Sequence, residues 1–114
     1  MNKEFNCPVE ATISLIGGKY KSVILFHLMG KTLRYSELHK KIPKATDKML
    51  AQQLRELEKD GLIKRTVYPV VPPKTEYNLT EFGESLSPIL NAMCNWGESY
   101  LNIPSQCVLS LIHI

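Results

Sequence analysis

The chain has 114 residues, of which 44% are hydrophobic and 22% charged, a composition typical of one soluble globular domain. It has no apolar run long enough to cross a bilayer, and its first residues lack a signal-peptide pattern. Three cysteines are too few for a disulfide framework. We therefore expect a cytoplasmic protein without a membrane partner.

The net charge of +3 is unevenly distributed along the chain. Residues 19–75 hold 13 of the 14 Lys and Arg residues and only 5 of the 11 Asp and Glu residues, a local balance of +8. The remaining residues balance at −5. A basic middle between acidic ends favours contact with a polyanion through that middle.

Two helices are predicted in the N-terminal third. Pro8 suits the first turn of one helix, which ends at Gly17. Its apolar stripe consists of Val9, Ile13 and Ile16. The next segment, residues 19–29, is apolar nearly all round and predicts a buried central helix that Gly30 closes.

A helix-turn-helix is predicted next, over residues 35–60. Its short first helix, residues 35–42, ends at Pro43, which cannot continue a helix. Thr46 is a suitable N-cap for the longer second helix, residues 47–60. The apolar stripe of this second helix consists of Leu50, Leu54 and Leu57. Such a helix is sized to enter a DNA major groove.

A hairpin is predicted after Gly61, which fits a helix end by taking positive φ. Residues 63–68 and 74–79 suit two strands around a proline-rich tip, so residues 62–79 form the wing of a winged helix. Residues 80–101 predict a final helix. Pro88 within it either kinks the helix or, with Ser87 as cap, starts a second segment.

The predicted fold is mainly α with a small β-hairpin (α+β), a winged helix-turn-helix with N- and C-terminal dimerisation helices. Residues 1–101 form the single predicted domain. Residues 102–114 are oddly apolar for a free terminus. This tail fits an ordered extension, a dimer element or a segment foreign to the protein.

The second helix of the pair carries polar side chains opposite its leucines. At about 100° per residue, Lys48, Gln52, Arg55 and Lys59 fall within an arc of roughly 60°, with Ala51 beside them. Gln can pair with adenine, Arg or Lys with guanine, and Ala leaves room for a thymine methyl. An ordinary solvated helix face is the alternative interpretation. We predict that four of these residues read base edges: Lys48, Ala51, Gln52 and Arg55.

Several basic residues surround this helix or lie on the hairpin. Phosphate contacts position a protein on DNA without reading its sequence. We predict this role for Arg34, Lys44, Lys64, Arg65 and Lys74. Lys74 is the strongest of them because it lies by the hairpin tip, and Lys21 is a further flanking cation.

The final helix carries a wider apolar stripe than a three-helix winged domain can cover. A two-fold dimer built from this helix and the first helix would bury it. The predicted interface consists of Val9, Ile13, Phe82, Leu86, Met93, Trp96 and Tyr100. Alternatively, the final helix folds back on its own domain. Two groove-reading helices related by a two-fold axis match a palindromic site in double-stranded DNA.

Cys7 stands directly before Pro8 at the start of a helix, where the helix dipole is expected to lower the pKa of a thiol. Cys7 is thus a candidate redox or electrophile sensor, with Cys94 and Cys107 as candidate resolving partners. The alternative is a small helix-start residue without a redox role.

Enzymatic activity is not expected. The three histidines show no spacing typical of a metal site or a catalytic triad. Gly17-Gly18-Lys19 lacks the full phosphate-loop pattern. We predict no catalytic residue, no metal and no cofactor. The sequence does not indicate a small-molecule ligand.

Ordered motifs from Cys7 to about Gly97 resemble the HxlR-type winged-helix transcriptional regulators. They are Cys7-Pro8-Val9-Glu10, Ile16-Gly17-Gly18-Lys19-Tyr20-Lys21, Lys48-Met49-Leu50, Gln53-Leu54-Arg55-Glu56-Leu57-Glu58, Asp60-Gly61-Leu62-Ile63, Val67-Tyr68, Val71-Pro72-Pro73-Lys74 and Tyr77-Asn78-Leu79-Thr80-Glu81. Tyr20 stands where tryptophan is frequent in that family.

The resemblance implies a homodimeric bacterial DNA-binding regulator with a MarR-like arrangement of dimerisation helices. It implies that residues 47–59 are the recognition helix and residues 70–75 the wing tip. It also implies that Cys7 matches a cysteine through which several family members sense oxidants or electrophiles. A winged-helix protein-interaction module that does not bind DNA is the alternative function.

Overall fold

A computed structural model describes residues 4–102 and shows six helices and a three-stranded antiparallel sheet within that range. In chain order these are α1 (Pro8–Ile16), α2 (Lys21–Leu28), β1 (Leu33–Arg34), α3 (Tyr35–Lys41), α4 (Asp47–Lys59), β2 (Ile63–Tyr68), β3 (Lys74–Leu79), α5 (Glu81–Glu84) and α6 (Ser87–Leu101). The predicted α+β fold class is confirmed. Residues 103–114, which include the candidate resolving cysteine Cys107, lie outside the described residues.

The hydrophobic core lies where α2, α3 and α4 meet the sheet. The side chains that α2 and α4 bury completely or almost completely are Ile24, Leu25, Leu28, Leu50, Leu54 and Leu57. Burial of these leucines and isoleucines supplies most of the driving force that holds α4 in place. α2 is the predicted buried central helix: Lys21 is also buried, three of its residues are half-buried, and only Val23 is exposed, at 40%.

The helix-turn-helix has the predicted start and end signals. The Thr46 side-chain oxygen accepts a hydrogen bond from the Met49 N–H at 3.1 Å and so caps α4. Gly61 adopts a φ of 80° after α4, and the Leu62 N–H donates to the Leu57 carbonyl at 3.0 Å. These local bonds explain why α4 has nearly the bounds that the sequence predicted.

The sheet has the strand order β1-β3-β2, and both pairings are antiparallel. β2 and β3 pair along their full length, from Ile63 opposite Leu79 to Tyr68 opposite Lys74, as the wing prediction required. β1 was not predicted. It is only two residues long, and Leu33 lies opposite Tyr77 of β3.

The C-terminal segment is broken into two helices. Thr80 caps α5 by accepting a hydrogen bond from the Gly83 N–H at 3.0 Å. A new helix, α6, starts at Ser87 with Pro88 in its first turn, where a missing N–H costs no helical hydrogen bond. Of the two alternatives for Pro88, the second segment is confirmed, although the N-cap residue is Leu86 and not Ser87.

Within residues 4–102, none of the helices combines the length and the apolar character needed to span a bilayer.

Candidate nucleic-acid interface

The outer face of α4 is polar and open to solvent. Because the leucines of α4 point into the core, the opposite side chains of Lys48, Gln52, Arg55 and Lys59 are exposed, and Ala51 beside them is half-buried. The predicted base-reading residues thus share one accessible face. That they contact bases remains a prediction.

Arg55 and Arg65 line one cavity of about 390 Å³ between α4 and β2. Leu54, Tyr77 and the acidic Glu58 also line it. The strand alternation that buries Ile63 directs Arg65 toward α4. The cavity therefore brings together one predicted base contact and one predicted phosphate contact.

Lys21 is not a surface cation, and its prediction as a phosphate contact was wrong. It is only 8% exposed, and its Nζ lies 2.7 Å from Glu56 Oε1 on α4. The second carboxylate oxygen of Glu56 accepts a hydrogen bond from Gln52 Nε2 at 3.2 Å. Hydrogen bonds from Lys21 first and from Gln52 second lower the pKa of the Glu56 carboxyl.

Sequence reasoning assigned no individual role to Glu56. Its spacing of four residues from Gln52 is a detectable signal for a helical side-chain pair. The partnership with Lys21 joins positions 35 residues apart and leaves no local signal.

The cations of the wing differ in their exposure to solvent. Lys64 and Arg65 are exposed on β2. Lys74 is partly buried at the start of β3, where its Nζ lies 3.6 Å from Glu76 Oε2 and 4.7 Å from the ring centroid of Tyr68. Since Glu76 and the Tyr68 ring both attract the ammonium, Lys74 is less free to reach a phosphate than its position in the sequence suggested.

Arg34 faces a separate cleft of about 630 Å³ between the start of α3 and the wing tip, which Lys74 also lines. The backbone N–H of Arg34 donates to Glu37 Oε1 at 2.8 Å, and this bond fixes the entry into α3. Lys44 is exposed in the turn before α4. The predicted phosphate contacts thus lie at the start of α3, in the turn before α4 and on the wing.

Two side chains of α3, Tyr35 and His39, form hydrogen bonds with the start of α4 and the turn before it. The Tyr35 hydroxyl donates to Asp47 Oδ1 at 2.9 Å, and burial, followed by that hydrogen bond, raises the pKa of Tyr35 to about 12. His39 contacts the Ala45 carbonyl through Nε2 at 2.9 Å and Asp47 Oδ1 through Nδ1 at 3.2 Å. These bonds hold the turn in the geometry that orients α4.

A second surface is apolar. Six of the seven predicted dimer residues are exposed on the single chain, namely Val9, Ile13, Phe82, Met93, Trp96 and Tyr100. The rings of Trp96 and Tyr100 stack at 5.5 Å between centroids and remain 70% and 74% exposed. Leu86 differs because it is partly buried against the core of its own chain.

Cys7 is an exposed free thiol at the N-cap of α1. Among residues 4–102, no cluster of three or more His, Cys, Asp or Glu side chains is arranged to hold a metal ion.

The helix-turn-helix of α3 and α4, the β2–β3 wing beside it and the cations on both define a winged helix-turn-helix protein of the DNA-binding class. The model of the HxlR-like helix-turn-helix family matches residues 15–105. The chain belongs to this family, whose members are transcriptional regulators, and no enzymatic family is indicated.

Individual relatives agree with this assignment. The chain is 54% identical over 94 residues to the HTH-type transcriptional regulator YdeP of Bacillus subtilis, covering 82% of this chain and 73% of that protein. It is 50% identical to the redox regulator HypR in its oxidised form, with a TM-score of 0.78 and coverage of 82% of this chain and 96% of that one. A crystal structure of the HTH-type regulator ytcD is 54% identical, has a TM-score of 0.78, and covers 84% of this chain and 98% of its own.

Proposed function

We propose that this protein acts in the cytoplasm as a homodimeric transcriptional regulator that binds a palindromic operator. The observation that carries the proposal is the exposed polar face of α4, backed by buried leucines and flanked by a wing. Four α4 residues read base edges, and five cations contact phosphates. The base-reading residues are Lys48, Ala51, Gln52 and Arg55, and the phosphate contacts are Arg34, Lys44, Lys64, Arg65 and Lys74.

The dimer is supported by the apolar surface of α1, α5 and α6. Large exposed apolar side chains are concentrated at interaction sites, because leaving them in water is unfavourable. A second copy of the chain, related by a two-fold axis, buries the same face on both subunits. A two-fold dimer has two α4 helices, one for each half of a palindromic site.

Arg55 provides the test of base reading. Arg55→Ala should weaken operator binding by about 1–3 kcal/mol and relax the preference at one base pair. Arg55→Lys keeps the charge but loses the two-pronged guanidinium, so it should retain non-specific binding and lose the same preference. Operator binding as tight as that of the parent would contradict the assignment of Arg55 to the groove.

The operator itself is obtained by selecting bound sequences from a random duplex pool with the parent protein. Two inverted half-sites about 10 base pairs apart, or a multiple of that spacing, are expected for a two-fold dimer. Binding should weaken steeply with salt, since each neutralised phosphate releases counterions. A protein-interaction module without DNA affinity would show neither enrichment nor this salt dependence.

Trp96 provides the test of the dimer. Trp96→Glu places a charge in the apolar surface and should convert the dimer to a monomer in size-exclusion chromatography with light scattering. Val71→Glu is the matched control, because Val71 is 99% exposed at the wing tip, away from that surface. A parent that is monomeric, or a Trp96→Glu variant that stays dimeric, contradicts the proposed interface.

Thiol-based regulation is a second proposal, favoured by the similarity to HypR, a redox regulator with structures in oxidised and reduced forms. The exposed Cys7 thiol would join a second thiol in a disulfide, and an oxidant such as diamide accepts the two electrons and two protons released. Operator affinity should change after diamide treatment in the parent but not in Cys7→Ser. An equal response in both proteins excludes Cys7 as the switch.

A further inference from the structure

A chain of three polar side chains runs from the core to the outer face of α4. It starts at Lys21 of α2, whose Nζ lies 2.7 Å from Glu56 Oε1, and it continues from Glu56 Oε2 to Gln52 Nε2 at 3.2 Å. Lys21 is buried, Glu56 is partly exposed, and Gln52 is exposed on the face proposed to meet DNA. One carboxylate therefore connects a buried ammonium to a base-reading amide.

The Lys21 ammonium fixes where the Glu56 carboxylate lies. A buried cation is stable only with a close acceptor, so the 2.7 Å contact holds Glu56 Oε1 against α2. The same contact lowers the pKa of Glu56, and the group stays ionised at neutral pH. An ionised carboxylate accepts hydrogen bonds and donates none.

This acceptor decides which way the Gln52 amide turns. With its nitrogen toward Glu56, the amide donates a hydrogen bond, whereas the flipped amide would place a carbonyl oxygen against an anionic oxygen. We propose that Glu56, held by Lys21, is a positioning residue that sets the donor–acceptor polarity of the Gln52 amide presented to DNA. This inference rests on the proposed function, in which the outer face of α4 reads bases.

The polarity selects the base that Gln52 pairs with. One N–H of the amide is occupied by Glu56, which leaves the second N–H as a donor and the carbonyl oxygen as an acceptor. Adenine presents a complementary acceptor and donor, N7 and the N6 amino group, in the major groove. Gln52 is therefore expected to read adenine, and the preference should depend on Glu56.

The experiment compares base preferences after selection from a random duplex pool. The parent and Gln52→Ala identify the base pair that Gln52 reads, at which the parent should prefer adenine by about five- to 100-fold. If the parent enriches no sequence, the proposed function is wrong, and this inference is wrong with it. If the parent is specific but Gln52→Ala changes no position, this inference is overturned while DNA binding stands.

Glu56→Gln tests the polarity directly. The Lys21 ammonium takes the oxygen of the new amide, so its amino group faces Gln52 and favours the flipped orientation. The adenine preference should fall by about two- to tenfold, the worth of one hydrogen bond, and other positions should not change. Glu84→Gln removes one negative charge from α5 and is the matched control.

If Glu56→Gln folds poorly, the double variant Lys21→Met with Glu56→Leu provides the test instead. This pair replaces the ion pair with apolar side chains and leaves no buried charge without a partner. The adenine preference should relax by the same factor in this variant. If it retains the parent preference at the Gln52 position, the ion pair has only a structural role and the inference is wrong.

Discussion

Gly83 provides a test of how α4 is joined to the C-terminal helices. A methyl group added there would lie 2.1 Å from the backbone oxygen of Leu62 and 3.1 Å from its carbonyl carbon. The same Leu62 oxygen accepts a hydrogen bond from the Thr80 N–H at 3.1 Å. Gly83→Ala therefore presses on the backbone where α4 ends, where β2 begins and where α5 is capped.

The expected loss of stability in Gly83→Ala is the net result of two opposing effects. A backbone oxygen cannot move aside as a flexible side chain can, so over-packing should cost about 1–3 kcal/mol. Replacing glycine stiffens the unfolded chain and offsets about 0.4–1 kcal/mol of that loss. A net loss of about 1–2 kcal/mol in the free energy of unfolding corresponds to a Tm lower by roughly 5–15 °C for a domain of this size.

Thermal and urea unfolding, at one fixed protein concentration, measure this loss. Glu84→Ala is the matched control because Glu84 is the neighbouring residue in α5 and is exposed. Its stability should stay within about 0.5 kcal/mol of the parent. A Gly83→Ala protein as stable as the parent, or more stable, would refute the close approach of α5 to Leu62.

The helix cap and a partly buried histidine give two further predictions. Thr46→Ala removes the acceptor for the Met49 N–H and should lower the free energy of unfolding by about 1 kcal/mol, whereas Thr46→Ser should not; equal urea midpoints would contradict the cap. Burial, then Lys41 and Lys31, lowers the pKa of His27 from 6.5, so the unfolded chain takes up the proton more readily. Stability should fall as the pH drops below about 6.5, and less so in His27→Gln; parallel pH profiles would exclude His27.

Local chemistry made much of this fold predictable from sequence. Thr46 and Gly61 mark the two ends of α4 with a side-chain cap and a positive φ, and both signals depend only on neighbouring residues. Regular spacing of leucines determines which face of α4 turns inward, so the outward direction of Gln52 and Arg55 was predicted correctly. The bounds of β2 and β3 followed from two β-favouring runs around a proline-rich tip.

Only the tertiary structure decided where distant groups meet. A lysine is usually found at the surface, yet the packing of α2 against α4 buries Lys21 and directs its ammonium to Glu56. β1 has two residues, too short for a periodic pattern, and exists because Leu33 lies beside β3. Sequence patterns with a spacing of three to four residues predict a helix and its buried face. A pairing between residues 35 positions apart depends on long-range packing, which such patterns do not contain. Thus neighbouring residues determined the bounds and the exposed face of α4, and the assembled core determined the contact between Lys21 and Glu56.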